Sequence, residues 1–207
     1  MKYFVFDYGN VLKSKIYYEQ MKDEPTCISA KYENDEKIQN LNKKYRNLYF
    51  SGEIDEKDFI KNVRPYFNCP NISEKEYIDN FKEVGMKYSK VNPDIDYIVN
   101  LVKSKNYKIY ILSNIGKLQE DELLNDVGAS RFDGIFLSFK LHQIKPDKGI
   151  YQTVINKIGA NPKDVYFFDD KEENVKSANE MGINAYVADF NSVKRKINEI
   201  IEKIQVS

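Results

Sequence analysis

The chain has 207 residues, with 32 Lys+Arg against 32 Asp+Glu, so its formal net charge at pH 7 is +0. That length suffices for one solid core, or for one domain carrying a smaller inserted one. The balanced charge argues against nucleic acid or an anionic membrane as the main partner, and no apolar run is long enough for a signal-peptide core or a membrane span. Cys27 and Cys69 lie far apart in sequence, outside any metal-binding spacing, and read as reduced thiols of a cytoplasmic protein.

The first element is the run Tyr3 to Phe6, four aromatic and β-branched side chains that read as a strand buried on both faces. Asp7 follows at once, and Gly9 and Asn10 break the strand. Next come helical patterns only. Ile38, Leu41, Tyr45, Leu48 and Tyr49 share a helical face that Ser51-Gly52 ends. A short helix after Asp55 carries Phe59, Ile60 and Val63 before Pro65. Ser73 with Glu76 makes a capping box for a third, on which Tyr77, Phe81, Val84 and Tyr88 share a face. Asn92-Pro93 then reads as an N-cap and first helical residue, opening a helix with Ile95, Ile98, Val99 and Val102. From there strands and helices alternate: a strand at Tyr107–Leu112, a helix at Lys117–Asp126 and a short strand at Ile135–Leu137. Asp147 is expected to cap a helix closed by Gly159; Val165–Phe168 is a strand, and residues 172–181 a helix stopped by Gly182. A last strand at Ala185–Val187 precedes a terminal helix that Ser192 is expected to cap. The alternation predicts an α/β fold with a doubly wound parallel sheet. Residues 1–13 and 91–207 would form its core, and residues 14–90 an all-helical cap inserted after the first strand.

Parallel strands point their carboxyl ends to one edge, where open α/β sheets bind ligands. Asp7 stands there after the first strand, Ser113 and Asn114 after the second, and Asp169 and Asp170 after Val165–Phe168. Lys145, just before Pro146-Asp147, lies in a loop returning to the same edge. Carboxylates at close quarters raise one another's pKa unless a cation joins them. Mg²⁺ suits a site with few carboxylates plus a substrate phosphate. Ser113 and nearby backbone N–H groups are donors for phosphate oxygens, and Asp7 becomes a plausible carboxylate nucleophile.

The order FDYGNVL, ILSN, IKPD and VYFFDD resembles the four motifs of the haloacid dehalogenase (HAD) superfamily, and the helical insert resembles its type-1 cap on a Rossmann-like core. The look is nearest to the bacterial branch of phosphatases acting on sugar phosphates such as α-D-glucose 1-phosphate. The resemblance implies a Mg²⁺-dependent hydrolase acting on a small phosphorylated metabolite, as a monomer or weak homo-oligomer. Asp7 would attack phosphorus and form an aspartyl-phosphate. Asp7, the Gly9 main-chain carbonyl and Asp170 would hold Mg²⁺, and Ser113 with the Asn114 backbone would bind the phosphoryl group. Lys145 would hold Asp7 and the phosphate, with Asp169 orienting it and Asn174 supporting the metal site.

One position departs from the family pattern. Two residues after the nucleophile most phosphatases of the superfamily carry a second Asp as general acid and base; here stands Gly9. Losing such a group costs roughly 10²–10⁴-fold in rate. Asn10 has the wrong parity to replace it, and Tyr8 is expected to point away. Glycine also occurs here in the named branch, so three readings stay open: the phosphatase, a 2-haloacid dehalogenase using the same aspartate without metal, and a HAD-fold binding protein without turnover. His142, the one histidine, reads as an incidental loop residue.

Overall fold

A computed structural model describes residues 1–206. Strand β1 (Tyr3–Phe6) lies at the middle of a five-stranded sheet. Its neighbours are β2 (Lys108–Ser113) and β4 (Val165–Asp169), flanked by β3 (Gly134–Leu137) and β5 (Asn184–Val187) in the order β3-β2-β1-β4-β5. Every pairing is parallel, with Phe6 opposite Ile111 on one side and Phe168 on the other. Hence Asp7, Ser113 and Asp169 reach the same edge.

Because side chains alternate along a strand, the sheet presents two apolar faces. Phe4, Phe6, Ile109, Ile111 and Phe168 turn to one, where they meet α5 (Ile95–Ser104), α6 (Glu120–Val127) and α10 (Val193–Val206). Val5, Tyr110, Leu112 and Phe167 turn to the other, against α8 (Lys148–Ile158) and α9 (Glu172–Glu180). Phe4, Phe6, Phe168 and Tyr186 stack across adjacent strands with centroids 4.9–6.2 Å apart. Each such ring contributes about 1.5–3 kcal/mol by burial, which fixes the register that aligns the strand ends.

Between β1 and β2 the chain forms α1 (Tyr18–Met21), α2 (Glu36–Phe50), α3 (Glu56–Val63) and α4 (Glu74–Tyr88), joined by short 3₁₀ turns. Asp35 caps α2 by accepting from the Lys37 and Ile38 N–H groups, and Ser73 with Glu76 forms the predicted capping box on α4. The helices share a small core of their own: Ile60, Val63, Phe67, Ile72 and Tyr77. Cys27 and Cys69, distant in sequence, come to neighbouring backbone segments through hydrogen bonds from Asn68 N–H to Cys27 O and from Cys69 N–H to Pro25 O. Both are free thiols.

Two connections tie this helical segment to the sheet, and they run side by side. Ser14 N–H donates to Lys90 O, Asn92 N–H donates to Leu12 O, and Lys13 bridges Val91 in antiparallel fashion. Here the expected Asn92 cap is corrected. Helix α5 starts at Ile95 with Asp94 at its N-cap position. Asn92 Oδ1 accepts from Asp94 N–H in the turn ahead of it, while the buried Asn92 NH2 donates to Val11 O and Phe190 O, because a buried amide must find acceptors and the crossing chains supply them. Asp147 precedes α8 without a side-chain cap, and the Ser192 hydroxyl turns to Asp189 rather than to α10. Helix α7 (Ser138–Leu141) was not foreseen in the sequence. Among the described residues no helix is long and apolar enough to cross a membrane.

Candidate active site

Lys145 is the centre of the cluster at the sheet edge. Only 4% exposed, its ammonium lies 2.6 Å from Asp169 Oδ2 and 3.0 Å from Asp7 Oδ1, and donates to Leu112 O at 3.0 Å. The loop carrying it is pinned by Asn114, whose side chain accepts from Lys145 N–H and donates to Lys145 O. Burial alone would lower the Lys145 pKa, but Asp169 and Asp7 outweigh it and the net shift is upward, so the ammonium stays charged.

Asp169 is fully buried and completely engaged. Its Oδ2 faces Lys145, and its Oδ1 accepts from Lys171 N–H and from the Asn174 amide, both at 2.9 Å. Both of its oxygens are thus held by the protein. Asp7 differs: Tyr8 N–H (2.7 Å) and Lys145 both meet Oδ1, and among the described residues no donor meets Oδ2. Burial pushes the Asp7 carboxyl up, Lys145 pulls it down and Asp169 adds a further push, for a result of about 6. Asp7 is therefore ionised at neutral pH and carries an oxygen with unspent lone pairs.

Asp170 is half-buried and completes a set of three carboxylates whose nearest oxygens lie within 4.8 Å of one another. Three carboxylates against one ammonium leave two net negative charges at the strand ends, which a divalent, oxygen-seeking cation would offset. A second observation fits such an ion: Asn174 Oδ1 is buried and has no hydrogen-bond partner. The donor set is thus suitable for Mg²⁺.

The structure brings Asp7, Lys145, Asp169, Asp170 and Asn174 together. Ser113 ends β2 beside them, 1% exposed, with no hydrogen bond from its hydroxyl to the four charged groups among the described residues. Gly9 is exposed on the loop after Asp7, and a Cβ built there meets nothing within 4 Å. Sequence reasoning weighed Asn10 only as a replacement acid and set it aside; in the structure its amide donates to Asp170 Oδ2 at 3.0 Å from a backbone with φ +58°. The signal was present, since asparagine after glycine is among the few residues that adopt left-handed backbone readily. Ser138 was also missed: fully buried, its hydroxyl accepts from Ile115 N–H and donates to Phe50 O, joining the β2 loop to α2. His142 caps α7 at φ +53° and, with Lys117 and Phe139, lines a crevice of about 310 Å³ facing the α2–α3 turn.

A family model of haloacid dehalogenase-like hydrolases matches residues 17–188, a span that begins after Asp7. A phosphorylated carbohydrates phosphatase of Thermotoga maritima is 26% identical over 118 residues, 53% of this chain and 55% of that protein. A D-ribitol-5-phosphate phosphatase of Bacteroides thetaiotaomicron is 26% identical over 125 residues, 55% of each. The match thus spans about half the length of these curated relatives. Among solved structures, a HAD family enzyme of B. thetaiotaomicron in complex with magnesium and inorganic phosphate superposes with a TM-score of 0.70 at 21% identity, covering 90% of this chain and 93% of that one.

Proposed function

The chain belongs to the haloacid dehalogenase-like hydrolase family, and we propose that it is a Mg²⁺-dependent phosphatase of a small phosphomonoester, a sugar phosphate or similar metabolite. The observation that carries this reading is the cluster of Asp7, Asp169 and Asp170, the first two paired with one buried ammonium and with an oxygen of Asp7 unspent. Phosphatases among the relatives, and a like-folded enzyme with magnesium and phosphate bound, support it.

In this reading Asp7 Oδ2 attacks phosphorus in line with the ester oxygen. The Oδ2–P bond forms as the ester P–O bond breaks, and the leaving oxygen takes its proton from solvent or substrate, since Gly9 has none to give. Water then attacks the aspartyl-phosphate, returning the Asp7 carboxylate and releasing inorganic phosphate. Lys145 offsets charge beside Asp7, Asp169 holds Lys145 in place, and Ser113 with the Asn114 backbone binds the transferring group. Asp7, Asp170 and the Gly9 carbonyl would hold Mg²⁺, supported by Asn174; when bound, the ion neutralises phosphoryl oxygens. Residues 14–90 act as a cap over the sheet edge that selects substrate and excludes water.

The open space at Gly9 favours one second reading, phosphate capture without turnover. Phosphate release from a panel of sugar phosphates and aryl phosphates, with Mg²⁺, with EDTA and with Asp7→Asn, separates the two. Release that requires both the metal and Asp7 is the expected outcome; stabilisation by phosphate without release would move the assignment to a binding protein.

A further inference from the structure

Tyr8 adjoins Asp7, and its side chain leaves the site altogether. It is 4% exposed, and its hydroxyl donates to Asp126 Oδ2 of α6 at 2.6 Å. The same Asp126 oxygen lies 2.7 Å from Lys13 Nζ, which also pairs with Glu122 one turn earlier on α6 and lies 5.8 Å from the Tyr8 ring centroid. Burial, then Asp126, drive the Tyr8 pKa upward, so the hydroxyl remains a donor.

The backbone of Tyr8 is used on both sides. Its N–H donates to Asp7 Oδ1 at 2.7 Å, and its C=O accepts from Val11, Leu12 and Lys13 N–H groups at 3.3, 2.9 and 2.9 Å. Tyr8 therefore joins the carboxylate at the strand end to the loop that leads into the helical segment. Its one side-chain hydrogen bond anchors that junction on α6. A carboxylate aimed at phosphorus is sensitive to this: a misplacement of about 1 Å costs on the order of 10²-fold in rate.

We propose that Tyr8 and Asp126 are positioning residues for Asp7: their hydrogen bond fixes the peptide whose N–H aims the carboxylate. This rests on Asp7 being the phosphoryl acceptor. The test uses Tyr8→Phe, Asp126→Ala and the double variant, with p-nitrophenyl phosphate as substrate and Asp7→Asn as the reference. Each single variant is expected to lower kcat about 10- to 100-fold with KM within about twofold. The double variant should be no worse than the Asp126 single, because the Tyr8–Asp126 bond is lost in all three and the loss of the Asp126–Lys13 pair is already contained in that single variant. A second readout needs no turnover: ¹⁹F NMR of beryllium fluoride with Mg²⁺, where the wild type is expected to give bound resonances that Asp7→Asn abolishes and that both single variants weaken or shift. A merely structural role predicts lower melting temperatures with kcat and the ¹⁹F signature unchanged, and would overturn the inference while leaving Asp7 as nucleophile. Full turnover in Asp7→Asn would instead overturn the reading of Asp7. Neither turnover nor an Asp7-dependent fluoride complex in the wild type overturns both.

Discussion

Burial raises the Asp7 carboxyl to about 6, against the pull of Lys145 at 3.0 Å and with a further push from Asp169. The ordinary value is 3.8, so the folded state binds this proton more tightly than the unfolded chain does. A group raised in this way stabilises fully below its unfolded value, and the contribution is lost as pH rises through about 6. Two units correspond to on the order of 3 kcal/mol, so the ionised Asp7 that the proposed reaction would use destabilises the metal-free fold. Asp7→Asn replaces the charge by a neutral group of the same shape. In EDTA at pH 8 its urea midpoint should correspond to a gain on the order of 2–3 kcal/mol, shrinking toward zero by pH 4. A lower midpoint than wild type at pH 8 would mean that the ion pair with Lys145 outweighs burial. The same logic explains why Lys145 was hard to judge from sequence. A lysine before proline is ordinarily solvated, and only the fold reveals that two acids and a carbonyl enclose this one.

Strands β1, β2 and β4 were legible because a strand buried on both faces is written as a continuous apolar run, and the polar residue ending each run marks the sheet edge. The helix stops at Gly52, Gly159 and Gly182 were legible too, each with φ between +64° and +79°. What long-range packing decides was not: Asn92 reads as a cap locally but serves two chains that cross only in three dimensions. Gly116 is a further case. A Cβ there would lie 2.0 Å from the Tyr49 ring of α2, whose hydroxyl accepts from Leu118 N–H. Nothing in the local sequence announces that contact between the β2 loop and the helical segment. Gly116→Ala should destabilise by about 1–3 kcal/mol through overpacking. Gly9→Ala, in open space and outside the left-handed region, should stay within about 1 kcal/mol of wild type. Urea unfolding of the two variants side by side checks this, and equal midpoints would show that α2 yields at no cost.

Three apolar clusters divide the molecule unequally. Two sandwich the sheet, while the helical segment has a cluster of only five buried residues of its own and a few ties to the sheet layer. Those ties fall on the loop after β2, on α6 and on α7. Phe50 O accepts from Ser138, Tyr49 meets Leu118, and a Cβ on Gly85 of α4 would lie 2.6 Å from Glu122 Oε1. The loop after β1 leads into the helical segment and the loop after β2 packs on α2; on the proposed reading both would carry the chemistry and act as hinges, so a ligand at Asp7 should bias the helical segment as well. Local opening free energy scales with buried apolar contact. Amides of α3 and α4 should accordingly exchange with solvent at lower free energy than those of β1, β2 and β4. Magnesium with beryllium fluoride should then slow exchange at residues 8–13 and 113–118, and at the C-terminal turn of α2 that packs on them. Protection confined to the strand-end loops, with α2 unchanged, would separate the hinge from the site and leave substrate closure to a different part of the segment.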